Sequence, residues 1–153
     1  MRRPNMIYED REVISIEEKA KNTLGDTFTV DDIDPTILKS LNYKYPKQLI
    51  AVKLTSREFT CLCPFSGLPD FACLSINYVP NCKLVELKAL KYYLYSFRNV
   101  KVYNEHAVNK ILEDLIKILK PREITLEGEF TSRGGIENKV TAVYREKRKA
   151  KRG

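Results

Sequence analysis

The sequence predicts an α+β domain in which one antiparallel sheet of four strands carries two helices on one face. Two observations predict it. Apolar residues alternate with a period of two over residues 71–79, 123–131 and 136–144. Between these blocks, over residues 85–98 and 104–120, the apolar spacing changes to that of a helix. The resulting order is strand, strand, helix, helix, strand, strand. Two hairpins flanking a helix pair fit a single sheet with one covered face. Such a sheet keeps two open edges, which association of several sheets into a barrel would close.

The totals agree with a single domain. The chain has 153 residues, 43% hydrophobic and 31% charged, which suits a globular protein with a modest core. No apolar run approaches the roughly 20 residues of a membrane helix. The first residues, MRRPNMIYEDRE, hold no apolar stretch that could serve as a secretion signal, so a cytoplasmic location and no membrane partner are expected. The net charge of +7 is uneven: residues 145–153 hold six basic and one acidic residue, which leaves only +2 for the rest. A nucleic-acid interface needs a basic face on the folded part, so nucleic acid is not expected as a partner. The chain divides into an N-terminal extension (1–45), a catalytic domain (46–144) and a basic tail (145–153) read as a solvated end.

Within the extension, Ser15 with Glu18 forms a capping-box pattern for a short helix, and Asp34-Pro35 opens another through Leu38 and Leu41. Gln48 to Ser56 reads as a strand, and Glu58 to Leu62 leads into a loop. Phe71 to Val79 puts Ala72, Leu74, Ile76 and Tyr78 on one face, until Pro80-Asn81 breaks it. Leu87, Leu90, Leu94 and Phe97 form the stripe of a first helix over 85–98. Ala107, Val108, Ile111, Leu112, Leu115, Ile118 and Leu119 form that of a second, which Pro121 stops. Ile124, Leu126, Gly128 and Phe130 share a strand face. Ser132 to Gly135 is a turn, and Val140, Ala142 and Tyr144 alternate in the last strand.

The stretch richest in chemistry is the loop Cys63-Pro64-Phe65-Ser66-Gly67-Leu68-Pro69-Asp70. Two prolines and a glycine make it stiff and sharply turned. A stiff loop can hold a thiol nucleophile and a carboxylic acid in one relation, which covalent catalysis needs. The same residues also suit a tight interstrand turn with a half-buried cysteine. Cys61, Cys63, Cys73 and Cys82 lack paired C-x-x-C spacing, and no metal site is expected. Lys88 and Lys91, three apart on one helix face, together with Arg98 and with Arg133 in the Gly-Gly turn, suit a phosphate cradle or an ordinary solvated surface. Glu86 and Glu105 near helix starts suit either the helix dipole or N–H donors of a purine-like ring.

Three segments together resemble the NADPH-dependent 7-cyano-7-deazaguanine reductases, the nitrile reductases of queuosine biosynthesis. They are Phe59-Thr60-Cys61-Leu62-Cys63-Pro64 through Asp70-Phe71, Val85-Glu86-Leu87-Lys88-Ala89-Leu90-Lys91-Tyr92-Tyr93 with Ser96-Phe97-Arg98-Asn99, and Ser132-Arg133-Gly134-Gly135-Ile136. The resemblance spans roughly residues 46–144. It implies the tunnelling fold and a homo-oligomer, two stacked pentamers with active sites between subunits. It implies that Cys63 adds to the nitrile carbon to give a thioimide, with Asp70 as proton donor. Val85, Glu86, Leu87, Asn104 and Glu105 are implied to bind the 7-deazaguanine substrate, and Lys88, Lys91, Arg133 and Gly134 to bind NADPH. The chain departs from the family pattern at Asn104, where histidine is usual, and at Tyr92, where leucine is common.

Two other readings share parts of this evidence. Archaeal relatives of the same fold act as amidinotransferases on the same nitrile in tRNA, but lack the Glu-x-Lys-x-x-Lys pattern seen here as Glu86, Lys88 and Lys91. A non-catalytic purine- or RNA-binding module would retain binding without Cys63.

Overall fold

The structure, a computed structural model, describes residues 28–147. In chain order its elements are β1 (Ser40–Asn42), β2 (Val52–Leu62), β3 (Pro69–Val79), β4 (Lys83–Val85), α1 (Leu87–Tyr95), α2 (Asn104–Leu119), β5 (Glu123–Arg133) and β6 (Ile136–Arg145). The main sheet has the order β2-β3-β5-β6, antiparallel throughout. Both helices cover one face, as the change of period predicts. The short β1–β4 ribbon was not foreseen.

The period-two strands bury the faces expected of them. Ala72, Leu74, Ile76 and Tyr78 on β3, and Ile124, Leu126 and Phe130 on β5, are buried in one cluster with Val108, Ile111, Leu115 and Leu119 of α2. On α1 the buried residues are Ala89, Leu90, Tyr93 and Leu94, followed by Phe97 in a 3-10 turn over Ser96–Asn99. The expected helix over 85–98 is therefore shorter: Val85 belongs to β4, Glu86 is the cap, and Leu87 is 60% exposed instead of leading the stripe. Glu86 stops the helix from starting earlier, because its carboxylate accepts the Lys88 and Ala89 backbone N–H groups at 2.9 and 2.7 Å.

The expected strand over 48–56 begins instead at Val52 and runs on through Leu62. A bulge between Ser56 and Phe59 absorbs one extra residue, which joins the two stretches separated in the sequence reading. The expected helix from Asp34 through Leu41 is a single 3-10 turn, Pro35–Ile37, capped by Asp34. It ends there because Ser40–Asn42 pairs with β4, which leaves Leu41 53% exposed. Ile33 and Leu38 of this segment nevertheless join the same core. The expected helix at Ser15, and the tail from residue 148, lie outside the described residues. Among the described residues no helix is long and apolar enough to cross a membrane.

One polar group locks the helix pair. Asp114 is 1% exposed and accepts the Tyr93 hydroxyl at 2.7 Å, while Lys110 pairs with it at 2.9 Å. Burial, and then this hydrogen bond, push Tyr93 ionisation far above its ordinary range, so the hydroxyl stays a donor. Asp114→Ala strands that hydroxyl in the core. We expect a loss of about 1–3 kcal/mol in urea unfolding; an unchanged midpoint would show that the lock is dispensable.

Candidate active site

The loop between β2 and β3 is closed by its own backbone. Cys63 N–H donates to Leu68 O at 2.8 Å, and Gly67 N–H returns to Cys63 O at 2.9 Å. Gly67 has φ +68°, a conformation that glycine adopts without strain. Ser66 Oγ accepts the Leu68 N–H at 3.2 Å, which turns the serine toward the loop interior.

Two neighbours are brought to this loop by strand register. Leu62 bonds on both sides to the segment entering α2, through Leu62 N to Val100 O at 2.9 Å and Val102 N to Leu62 O at 3.1 Å. This delivers Tyr103, Asn104 and Glu105 to the loop, and the Tyr103 ring packs edge-on to Phe65 at 6.0 Å. On the other side Asp70, the second residue of β3, is paired to Cys61. Asp70 is 7% exposed, and its Oδ1 receives Arg133 Nη1 at 2.8 Å. Arg133 Nη2 reaches Ser66 Oγ at 3.4 Å. Arg133 stands at the end of β5, opposite Ile136, beside a two-glycine hairpin turn in which Gly134 and Gly135 have φ +58° and +76°.

Cys63, Asp70, Asn104, Glu105, Arg133 and Asn138 line one cleft of about 260 Å³. Asn138 Nδ2 donates to Glu105 Oε1 at 3.2 Å, and the buried Asn104 Oδ1 has no hydrogen-bond partner among the described residues. A buried acceptor without a donor is costly, so this atom suits an incoming N–H. The Ser66 hydroxyl lowers the Cys63 thiol to about 7, helped by the Ser66 and Phe65 backbone N–H groups and by Arg133, with burial opposing. Cys61, two residues away, is pushed up to about 12, first by burial and then by the Asp70 and Cys63 charges. The C-x-C pair therefore holds one reactive and one inert thiol. Among the described residues no group of His, Cys, Asp and Glu is arranged to hold a metal.

The remaining sequence-predicted residues lie elsewhere. Val85 N–H donates to the Tyr78 hydroxyl at 3.2 Å, and Glu86 is held below the usual carboxylate range by the N–H groups it caps. Leu87 and Lys91 line a separate cleft of about 660 Å³ between β2 and α1, where the Lys91 ammonium lies 5.7 Å from the Tyr95 ring centre. Lys88 is exposed, and around Gly134 there is open space. One copy of the chain thus gathers Cys63, Asp70, Asn104, Glu105 and Arg133, but does not bring Val85–Lys91 to them. Ser66 and Asn138 were missed. Ser66 could have been found as a hydroxyl three residues beyond the nucleophile in a tight loop. Asn138 gives no sequence signal, because only the β5–β6 register aims it.

The family model described as "QueF-like protein" matches residues 69–149. The chain is 46% identical over 127 residues to the "NADPH-dependent 7-cyano-7-deazaguanine reductase" of Thermoanaerobacter pseudethanolicus, covering 83% of this chain and 96% of that one. The chain belongs to the QueF-like family. Likeness of the same order links it to proteins of that name from Caldicellulosiruptor bescii, at 46% identity over 84% of this chain and 98% of that one, and from Porphyromonas gingivalis, at 45% over 78% of each. The apo crystal structure of the archaeosine synthase QueF-Like has the same fold, with a TM-score of 0.55 at 21% identity, covering 62% of this chain and 91% of that one.

Site-resolved alkylation with iodoacetamide tests the thiols. Cys63 modification should follow a midpoint near pH 7 because its thiol is lowered, so the thiolate fraction falls tenfold per pH unit well below that point. Cys61 should stay unmodified up to pH 10, and Ser66→Ala should raise the Cys63 midpoint. Equal labelling of Cys61 and Cys63 would contradict the two environments.

Proposed function

We propose that this protein is an NADPH-dependent nitrile reductase that converts 7-cyano-7-deazaguanine to its aminomethyl counterpart in queuosine biosynthesis. The observation that carries the reading is the lowered Cys63 thiol sharing one cleft with the Asp70 carboxyl. The reductase names borne by relatives of 44–48% identity support it. A nitrile is a weak electrophile, so it needs a thiolate and a proton for its nitrogen. Cys63 Sγ bonds to the nitrile carbon as its thiol proton passes to the Asp70 carboxylate, which hands that proton on to the nitrile nitrogen. The adduct is a thioimide. NADPH, when bound, supplies two hydride equivalents in succession. Cys63 leaves again as a thiolate after the first reduction, and the nitrogen takes up further protons to end as an amine.

The other cleft residues orient the ring. Glu105 and the unpartnered Asn104 Oδ1 are acceptors, which suits the N–H edge of a guanine-like ring. Asn104 holds by hydrogen bonding alone, since an amide does not titrate where a histidine would. Lys88 and Lys91 are the cations available to NADPH phosphates. They fit an anionic group because they stand exposed on one face of α1. Val85, Glu86 and Leu87 complete the substrate site from a second copy of the chain, in a homo-oligomer of the stacked-pentamer kind. Their separation from Cys63 within one copy supports that reading, as do the sheet edges β2 and β6, left without a partner strand among the described residues. The work is that of a cytoplasmic small-molecule enzyme in which residues 46–144 are the catalytic part.

NADPH oxidation followed by nicotinamide absorbance in the presence of 7-cyano-7-deazaguanine tests the function. Cys63→Ala should abolish both oxidation and the protein adduct seen by mass. Asp70→Asn should lower turnover by about 10²–10⁴-fold. Lys88→Ala should raise the KM for NADPH more than it slows adduct formation. A Cys63-linked adduct without NADPH oxidation would turn the reading to the amidinotransferase, and neither signal would leave a binding module.

A further inference from the structure

Arg133, which the resemblance assigns to NADPH, lies within one copy of the chain against the Cys63 loop, with Nη1 2.8 Å from Asp70 Oδ1 and Nη2 3.4 Å from Ser66 Oγ. Those two acceptors follow Cys63 in sequence, by three and seven residues. A guanidinium is suited to this task because its donors diverge in a rigid plane and can hold two acceptors at a set separation. An ammonium holds such a pair less rigidly. The Arg133 side chain is only partly exposed, and that of Asp70 is 10% exposed, so the ion pair is shielded from bulk water more than a surface pair.

We propose that Arg133 is a positioning residue for the nucleophile: it bridges the Asp70 carboxylate and the Ser66 hydroxyl, holds both beside Cys63, and cancels the carboxylate charge that would oppose a thiolate there. This rests on the reading of Cys63 as nucleophile and adds to it a task for Arg133 that precedes any cofactor. The groups that face Cys63 are few. β3 contributes Asp70 and β5 contributes Arg133. The start of α2 contributes Glu105, with Tyr103 before it, and β2 contributes the buried Cys61. Lys101 approaches the same loop at Gly67, its Cε 4.0 Å from where a Cβ would stand. Asp70 and Glu105 are the two carboxylates among them. Glu105 is held by Asn138, so Asp70 is the charge that Arg133 alone offsets. Without Arg133, Cys63 keeps Ser66 and the backbone donors but loses the guanidinium's own hydrogen bond and stands beside an uncompensated carboxylate.

The pH midpoint of Cys63 alkylation, read by peptide mass on the full-length chain without nitrile or NADPH, tests the inference. Arg133→Gln should raise the midpoint by about one pH unit, which lowers the alkylation rate at pH 7 about fivefold. Adding Asp70→Asn should bring the midpoint back toward the unmodified protein's, because the carboxylate that loses its counter-charge with Arg133 is then gone. A purely structural role would not produce that reversal. Arg133→Lys should give an intermediate midpoint. Thermal unfolding is followed in parallel. Should Arg133→Gln not fold, Arg133→Lys carries the test, and a raised midpoint there supports the bridge. An unchanged midpoint in the folded variants, with only the KM for NADPH altered, would overturn the proposal and leave Arg133 as a cofactor contact. Failure of the nitrile assay with the midpoint shifts intact would leave the Arg133 role standing and remove only the substrate. A Cys63 midpoint near 9 in the unmodified protein would remove both.

Discussion

The register of β3 is the constraint on which core and site both depend. This strand is hydrogen-bonded on both sides, with Leu74 opposite Gly128 and Ile76 opposite Leu126 on β5, and Leu74 opposite Ser56 on β2. A slip of one residue would turn Cys73, Ser75 and Asn77 toward the helices and Leu74 and Ile76 away from them. Burial of Leu74, Ile76 and Tyr78 under α2 therefore selects one register. That register also seats Asp70 opposite Cys61 at the mouth of the loop, and Ala72 opposite Phe130 near the end of β5 where Arg133 follows. The carboxylate of the site stands where it does because of the hydrophobic packing below it.

The loop adds what packing does not provide. Its hydrogen bonds are short-range and mostly backbone, so its shape does not rely on a bound ligand. Within that shape the two thiols of Cys61 and Cys63 part company. Cys61 continues the alternation of β2 into the core, where burial disfavours its thiolate. Cys63 sits one step beyond the strand, where backbone N–H groups and the Ser66 hydroxyl favour the charged form. A single residue, Leu62, separates the cysteine whose thiol is pushed up from the one whose thiol is lowered, and the end of the strand is the boundary.

The two clefts have different characters. The smaller is lined by the Cys63 loop and by side chains from β3, β5, β6 and the start of α2. The larger lies between β2 and α1 and is lined by Leu54, Phe59, Leu87, Leu90 and Leu94 beside Lys91. Of Glu86, Lys88 and Lys91 only Lys91 lines it, and it shares no residue with the cleft of Cys63. Membership of the QueF-like family rests on sequence, and the likeness to the archaeosine synthase structure, at 21% identity, extends to the fold alone. Within one copy of the chain, the residues around Cys63 and those around Lys91 therefore line separate clefts.

By itself the sequence determined what depends on periodicity and local chemistry. The alternation of Ala72 to Tyr78 and of Ile124 to Phe130, and the stripe from Ala107 to Leu119, specify the sheet, its buried face and the longer helix, because burial rewards one period in each. The stiffness of the Cys63 loop was legible in its prolines and glycine. Tertiary structure alone decided the rest. Arg133 lies 63 residues from Asp70, and Asn138 lies 33 from Glu105, so no local rule pairs them. The exposure of Leu87, the bulge that joins the two halves of β2, and the β1–β4 ribbon follow from what packs or pairs alongside. Asp114 reads as one more charge on a helix until the fold brings the Tyr93 hydroxyl to it. Local sequence sets which groups are present and on which face, whereas their partners depend on strand register and helix placement, which only the folded chain establishes.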